Sequence, residues 1–288
     1  MANETGLTQM SGAIPAWLRP KALKARYAAS KVWKLCMNGI EGDSLVKGNI
    51  MKAGDRVTFQ IFPSIAMGDI NTDTGALANT QIDPTQATIT IDKWKGAIVN
   101  VVDIADQQAV FNWDEELAEA FGKSMSQQQD TDVLDLASTL TGYTDLGDNA
   151  SAFTDALVLT AQRTLDDAEV PMEDRNWVIC PKAHADLLAE DKFTLANSTG
   201  FQKGIQVEKG RVSALYGTPV TVSTRVETES NGRLNVLFHK EAFGIAMQKD
   251  FRMERFARTQ FATPYAANAL YGVAVLRHDH AINVVTAA

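Results

Sequence analysis

The chain has 288 residues, 45% apolar and 22% charged, enough for one large or two ordinary domains with a substantial core. No apolar run approaches the ~18 residues of a membrane helix, and residues 1–12 are polar without a signal-peptide core, which makes the cytoplasm the simplest compartment. The net charge of −8 is uneven: residues 1–50 carry Arg19, Lys21, Lys24, Arg26, Lys31, Lys34 and Lys47 against Glu4, Glu41 and Asp43, a balance of +4 that leaves −12 on the rest.

Such a segment reads either as an arm that docks on an acidic surface or as a solvated helix face. It holds no Arg-rich run, and the acidic body would repel phosphate, so direct nucleic-acid binding is disfavoured. Within it, Pro15 and Pro20 bracket Trp17 and Leu18, an anchor rather than a helix. Leu23, Tyr27, Val32 and Leu35 form a weak helical pattern over 21–37, ended by Asn38 and Gly39.

Residues 56–62 alternate, with Val57, Phe59 and Ile61 on one face and Arg56, Thr58 and Gln60 on the other. Residues 87–94 repeat the pattern, Ile89 and Ile91 against Thr88, Thr90 and Asp92. Residues 68–86 between them are rich in Gly, Asn, Asp and Thr, with Asp69, Asp73 and Asp83-Pro84; the stretch predicts a long hairpin with a flexible tip. A short apolar strand follows at 98–102, then a helix capped by Asp103 or Asp106. Its apolar face is Val110, Trp113, Leu117, Phe121, Met125, Val133, Leu136 and Leu140, with Gly142 at the C-terminal cap. Unbroken over 104–140 it would run about 55 Å, and the polar stretch 126–130 is the predicted place for a break. Neither hairpin nor helix carries enough apolar surface for a domain of its own.

Residues 145–149 read as a linker and domain boundary. Ser151 starts a helix with Phe153, Leu157, Leu165 and Ala168 on one side, stopped at Val170-Pro171. Residues 177–180 read as a buried strand, and Pro181 opens a short helix through Leu188. Residues 191–210 predict a loop. Strands follow at 212–216, 219–225, 234–238, 247–259, 265–277 and 281–285, with turns at Gly217 and Asn231-Gly232.

Candidate chemistry is sparse. Gly42-Asp43-Ser44-Leu45 is the tetrapeptide of one serine-hydrolase family, but no buried strand precedes it and His278-Asp279-His280 lacks the Asp-x-x-His spacing, so it reads as a turn. His278 and His280 would share a strand face, the geometry of a metal pair, but without a third ligand the reading is structural. Glu115-Glu116 and Asp166-Asp167 read as solvated faces. Cys36 and Cys180 lie far apart outside any CxxC pattern and read as buried hydrophobes. No catalytic, cofactor or metal residue is predicted.

Three segments carry a resemblance. Val170-Pro171-x-x-x-Arg175-x-Trp177-Val178-Ile179-Cys180-Pro181 resembles the turn from first helix to first strand of the axial domain in short-tailed-phage capsid proteins. Gly217-Thr218-Pro219-Val220-Thr221-Val222-Ser223, followed by Phe238-His239-Lys240-Glu241-Ala242-Phe243-Gly244-Ile245-Ala246, resembles their later strand and helix. Thr90-Ile91-Asp92-Lys93-Trp94, then Val102-Asp103-Ile104-Ala105, resembles the return from the extended loop into the spine helix. Together they cover roughly residues 50–285, in the order found in tailed-bacteriophage major capsid proteins.

The resemblance implies an α+β fold. Its parts would be an N-terminal arm (1–53), an extended β-hairpin loop (54–95), a peripheral domain with the spine helix (96–150), an axial domain (151–251) and peripheral C-terminal strands (252–288). It implies a structural rather than enzymatic function: hexamers and pentamers closing into an icosahedral shell around double-stranded DNA, bound without sequence specificity. The partners implied are further copies of the chain, a scaffolding protein, a portal protein and a decoration protein, with no membrane and no cofactor. The location implied is the virion capsid, assembled in the host bacterial cytoplasm. The assembly residues implied are Trp17, Arg19, Lys21 and Arg26 in the arm, and Val57, Phe59, Ile61, Asp69, Asp73, Ile89 and Ile91 in the loop, whose apolar face would bury against a neighbouring copy. Trp113, Leu117 and Phe121 would belong to the spine. An encapsulin-like compartment protein and an esterase using Ser44 are the alternatives.

Overall fold

The computed structural model describes residues 24–26, 30–38, 56–61, 67, 83–109, 112–190, 207–208, 211–229, 232–258 and 260–288. Two sheets organise them. One has four strands in the order β1-β13-β14-β4, the other seven, with β5-β15-β12-β6-β10-β9 in line and β11 beside β12. In chain order the first strands are β1 (Met37–Asn38), β2 (Arg56–Ile61), β3 (Thr85–Thr90) and β4 (Lys93–Val102). The helices α1 (Asp103–Gln108) and α2 (Trp113–Leu134), β5 (Leu146–Gly147), α3 (Asp155–Asp167), β6 (Arg175–Ile179) and α4 (Pro181–Ala189) come next. The remainder is all strand: β7 (Val207–Glu208), β8 (Arg211–Val212), β9 (Ala214–Leu215), β10 (Thr218–Val222), β11 (Thr228–Glu229), β12 (Gly232–His239), β13 (Phe243–Arg255), β14 (Ala262–Val275) and β15 (Ala281–Ala287).

The seven-stranded sheet is buried at its centre. Trp177 on β6 is fully buried and meets Phe153 edge-on at 5.7 Å. Asn235, buried in the apolar run of β12, accepts from the Cys180 amide (2.7 Å) and donates to Val284 O (3.2 Å) and Thr286 Oγ1 (2.9 Å), so one side chain staples β6, β12 and β15. Pro181 opens α4 as expected. Both cysteines are free and buried, also as expected. Gly217 turns with φ +86°.

Several elements differ from the sequence reading, each for a local reason. Within 21–37 only residues 24–26 are α-helical among those described; Trp33–Leu35 make one 3₁₀ turn and Met37–Asn38 pair with β13 in parallel. The expected strand over 87–94 is two. Thr90 still pairs with Arg56, whereas Lys93 pairs with Tyr271 in the other sheet; a period of two is blind to a change of partner. The short strand expected at 98–102 is the end of ten-residue β4.

The spine helix does not break at 126–130. Ser126, Gln129 and Asp130 are buried within continuous α2, and the interruption falls between Gln108 and Trp113. Asn112 causes the restart, its side chain accepting from the Asp114 amide (3.0 Å) ahead of three acidic residues that suit the helix dipole. α2 spans about 33 Å, not 55 Å. Asp103 and Asp106 lie inside α1 rather than capping it, and the turn after α2 ends at Leu140, so Gly142 is no cap. Residues 145–149 are not a bare linker, because β5 pairs with β15. Helix α3 starts after Thr154, while Ser151 Oγ donates to Asp148 (2.7 Å). No helix follows Phe238: β12 passes through a tight turn straight into β13. Asp166 is not simply solvated; its carboxylate receives buried Arg175 Nη1 at 2.6 Å, while Asp167 pairs with Arg163 at the surface.

Sheet membership also crosses the boundary expected at residue 251. β13 runs through it, and β15 lies in the seven-stranded sheet. The chain passes from that sheet to the four-stranded one between β12 and β13 and returns between β14 and β15. Among the described residues no helix is long and apolar enough to cross a membrane.

Candidate assembly surface

The hairpin β2–β3 roots on its own chain. Val57, Ile89 and Ile91 are buried against Ala246 and Leu276, with Met37, Phe59, Ala87, Leu270 and Ala274 packed around them. Glycines permit the approach: a Cβ on Gly272 would sit 2.1 Å from Thr90 O, and one on Gly244 2.7 Å from Ile89 Cδ1. Burial fades from Val57 and Ile89 toward half-buried Ile61 and exposed Thr85. The expected burial of this face on a neighbouring copy is therefore corrected at its root, where own-chain contacts already cover Val57, Ile89 and Ile91. Asp69 and Asp73 lie outside the described residues.

The arm residues divide likewise. Arg26 is buried, its Nη1 donating to Asp250 Oδ1 (2.9 Å) and lying 3.7 Å from Met247 Sδ, so it faces this chain's own β13. Trp17, Arg19, Lys21 and Ser44 lie outside the described residues. Downstream, the carboxylate of Asp130 on α2 accepts the amides of Lys31 (3.0 Å), Val32 (3.2 Å) and Trp33 (3.0 Å). Burial pushes the Asp130 carboxyl up from its ordinary value, and the three amides partly offset this. Trp33 then packs edge-on against Tyr271 at 5.5 Å.

Helix α2 covers one face of the four-stranded sheet. Phe121 and Met125 are buried in the main core, with Trp113 and Leu117 half-buried beside them. Two tyrosines of β14 clamp its ends: Tyr265 Oη donates to Asp114 (2.5 Å) and Tyr271 Oη to Asp132 (2.5 Å). Arg255 lies 3.8 Å from Asp114 and Lys93 3.7 Å from Asp132. Burial first, and the adjoining carboxylate second, raise both tyrosine hydroxyls above their ordinary range.

Among the described residues nothing covers the opposite side of β4. Trp94 (73% exposed), Ile98 (64%) and Val102 (48%) fall on one face, and Ile104 and Phe261 are exposed beside the end of the strand. Among the described residues β4 is also the edge strand, bonded to β14 on one side and to no strand on the other. An apolar row on an open edge is what a monomeric surface avoids. The sequence reading missed this strip. Its signal was there: apolar residues occupy both faces of residues 97–102, more than one helix can cover.

A second cluster lies where the two sheets exchange chain. His278 and His280 do not share a strand face; they sit on a 3₁₀ turn, where His278 Nδ1 accepts from the Thr141 amide (3.3 Å). Buried His280 instead meets buried His239 with ring centroids 5.7 Å apart, and Glu241 joins them, one ligating atom from each lying within 4.8 Å of the others. Burial holds the His239 imidazole below its usual pKa.

A family model described as phage capsid protein matches residues 41–281. Among solved structures, the chain is similar to one from Mycobacterium phage Che8, with 21% identity, 89% of this chain and 90% of that one covered, and a TM-score of 0.69. The capsid of cyanophage P-SCSP1u gives 17% identity, coverage of 90% and 88%, and a TM-score of 0.71. A virus-like particle from Pyrococcus furiosus gives 11% identity, coverage of 94% and 97%, and a TM-score of 0.59. No curated protein matches the chain.

Proposed function

This chain belongs to the phage capsid protein family and has a structural, shell-forming role, and from that premise we propose that its copies meet through the uncovered strip on β4 to form hexamers and pentamers of an icosahedral shell. The exposed row Trp94, Ile98 and Val102 on an open edge supports this reading. A second copy laid over that row removes it from water at about 25 cal/mol per Å², and ring closure repeats the contact. The outer hairpin, from Ile61 to Asp69 and Asp73, reaches the neighbour, as do Trp17, Arg19 and Lys21 of the arm, whereas Phe59 packs at the root. Val57, Ile89, Ile91 and Arg26 instead hold those elements to their own subunit, and Trp113, Leu117 and Phe121 keep the spine on its sheet. In this scheme the arm, loop, peripheral and axial units keep the order given above, with three changes of boundary: the loop ends before β4, the axial unit ends with β12 so that β13 joins β14 in the peripheral unit, and β15 is counted with the axial sheet.

The shell encloses double-stranded DNA, assembles in the host cytoplasm with a scaffolding protein, and meets a portal and a decoration protein. A net charge of −8 suits a wall along which DNA must slide without sticking. The likeness to a virus-like particle from Pyrococcus furiosus supports a second reading, an encapsulin-like compartment shell protein. The test is electron microscopy and sedimentation of the expressed chain beside Trp94→Asp/Ile98→Asp. Wild type should give rings or closed particles, and the double variant should give dispersed subunits with an unchanged circular dichroism spectrum. Normal particles from the double variant would remove β4 from the interface.

A further inference from the structure

We propose that His239, Glu241 and His280 form a binding site for a divalent transition cation of the zinc class. The three come from the end of β12, the turn after it, and the turn before β15, so the site joins both connections between the sheets. Two imidazoles and a carboxylate are a zinc donor set, with the fourth position left to water. Both histidines are buried, so their rings are held in place. At ~2.0–2.1 Å from each nitrogen, a shared ion puts two ligand rings about 5–6 Å apart between centroids, and the observed separation is 5.7 Å with planes at 67°. His280 Nδ1 is sealed from solvent without a hydrogen bond, with Asp279 Oδ1 3.0 Å away. Asp279 is thus close enough to take up that nitrogen's proton in a hydrogen bond once Nε2 holds the ion, as carboxylates behind metal-bound histidines do.

A cation already leans on the cluster. Arg277 Nη1 lies 3.3 Å from His280 Nε2, and its Nε lies 3.6 Å from Glu241. Arg277 is 30% exposed, so it swings out as the ion enters. Ligation through His239 Nε2 puts the ring proton on Nδ1, which releases the 3.3 Å contact from the Glu241 amide. The ion thus competes with Arg277 and reshapes the turn that leads into β13.

The test uses the full chain, stripped with chelator and titrated with Zn²⁺ alone in a calorimeter, with Mg²⁺ as the oxygen-seeking control. One Zn²⁺ per chain is expected, with a rise in melting temperature that Mg²⁺ does not give. Glu241→Gln, at an exposed position, and His280→Gln should each weaken binding at least tenfold, and Arg277→Gln should tighten it. Should His280→Gln fail to fold, Glu241→Gln and Arg277→Gln carry the test. Absence of Zn²⁺ binding at 100-fold excess, or binding that these substitutions leave unchanged, would overturn the site.

Discussion

Gly272→Ala should loosen the hairpin from the body. The added methyl would lie 2.1 Å from Thr90 O and 3.0 Å from Ile91 Cα, where 3.4–4 Å is ordinary contact, and both obstacles are backbone. Residues 90–91 must therefore recede by about 1 Å. That motion lifts Ile89 and Ile91 off Ala246 and Leu276, and each such side chain contributes about 1.5–3 kcal/mol when fully buried. Overpacking of this kind costs about 1–3 kcal/mol, while reduced freedom of the unfolded chain returns about 0.4–1 kcal/mol. The net expectation is a loss of about 1–2 kcal/mol, read as a lower urea midpoint for the unassembled subunit. Ile89→Ala alone should cost about 2–5 kcal/mol. Because both changes act on one contact, the double variant should lose less than the sum by at least about 0.5 kcal/mol. Additive losses, or an unchanged midpoint for Gly272→Ala, would refute the close-packed root.

Two further outcomes follow from the spine. Tyr265 and Tyr271 have raised pKa values in the fold, so their contribution is complete below about pH 10 and lost as pH climbs beyond it, because the unfolded chain ionises first. Urea midpoints measured from pH 8 to 11 should fall on the alkaline side, and Tyr265→Phe/Tyr271→Phe should flatten that fall; an unaltered slope would count against the clamp. Asp130→Ala should orphan three amides at about 1–3 kcal/mol for each donor left buried, and hydrogen exchange at Lys31, Val32 and Trp33 should accelerate. If those amides stay protected, something other than the carboxylate holds the arm.

What was legible in the sequence was local. Alternation revealed β2 and, run together with the start of β4, β3, and Pro181 marked the start of α4. Partners were not legible. Nothing in residues 87–94 says that pairing changes hands at Ile91, and nothing in 126–130 says that polar Ser126, Gln129 and Asp130 face inward. A polar stretch in a helix reads as solvent-facing until a buried strand or arm is known to lie against it. The site followed the same rule: the loop's apolar residues were visible, but that Val57, Ile89 and Ile91 already had a seat on Ala246 and Gly272 depends on contacts over 150 residues away. The exposed strip on β4 was missed because apolar residues on both faces of 97–102 were read as a core strand, and only the sheet order places them at an edge.

β3 leads into β4 through only Ile91 and Asp92, and β4 is then held to β14 along ten paired positions. Tension on the hairpin therefore reaches β4 at Lys93 through the covalent chain. Behind that first pair stand nine more, so the load falls on a long ladder and not on a short seam. The hairpin is tethered like a rope spliced to a beam: whatever draws on it is resisted by the whole length of β4 and not by the two-residue link alone.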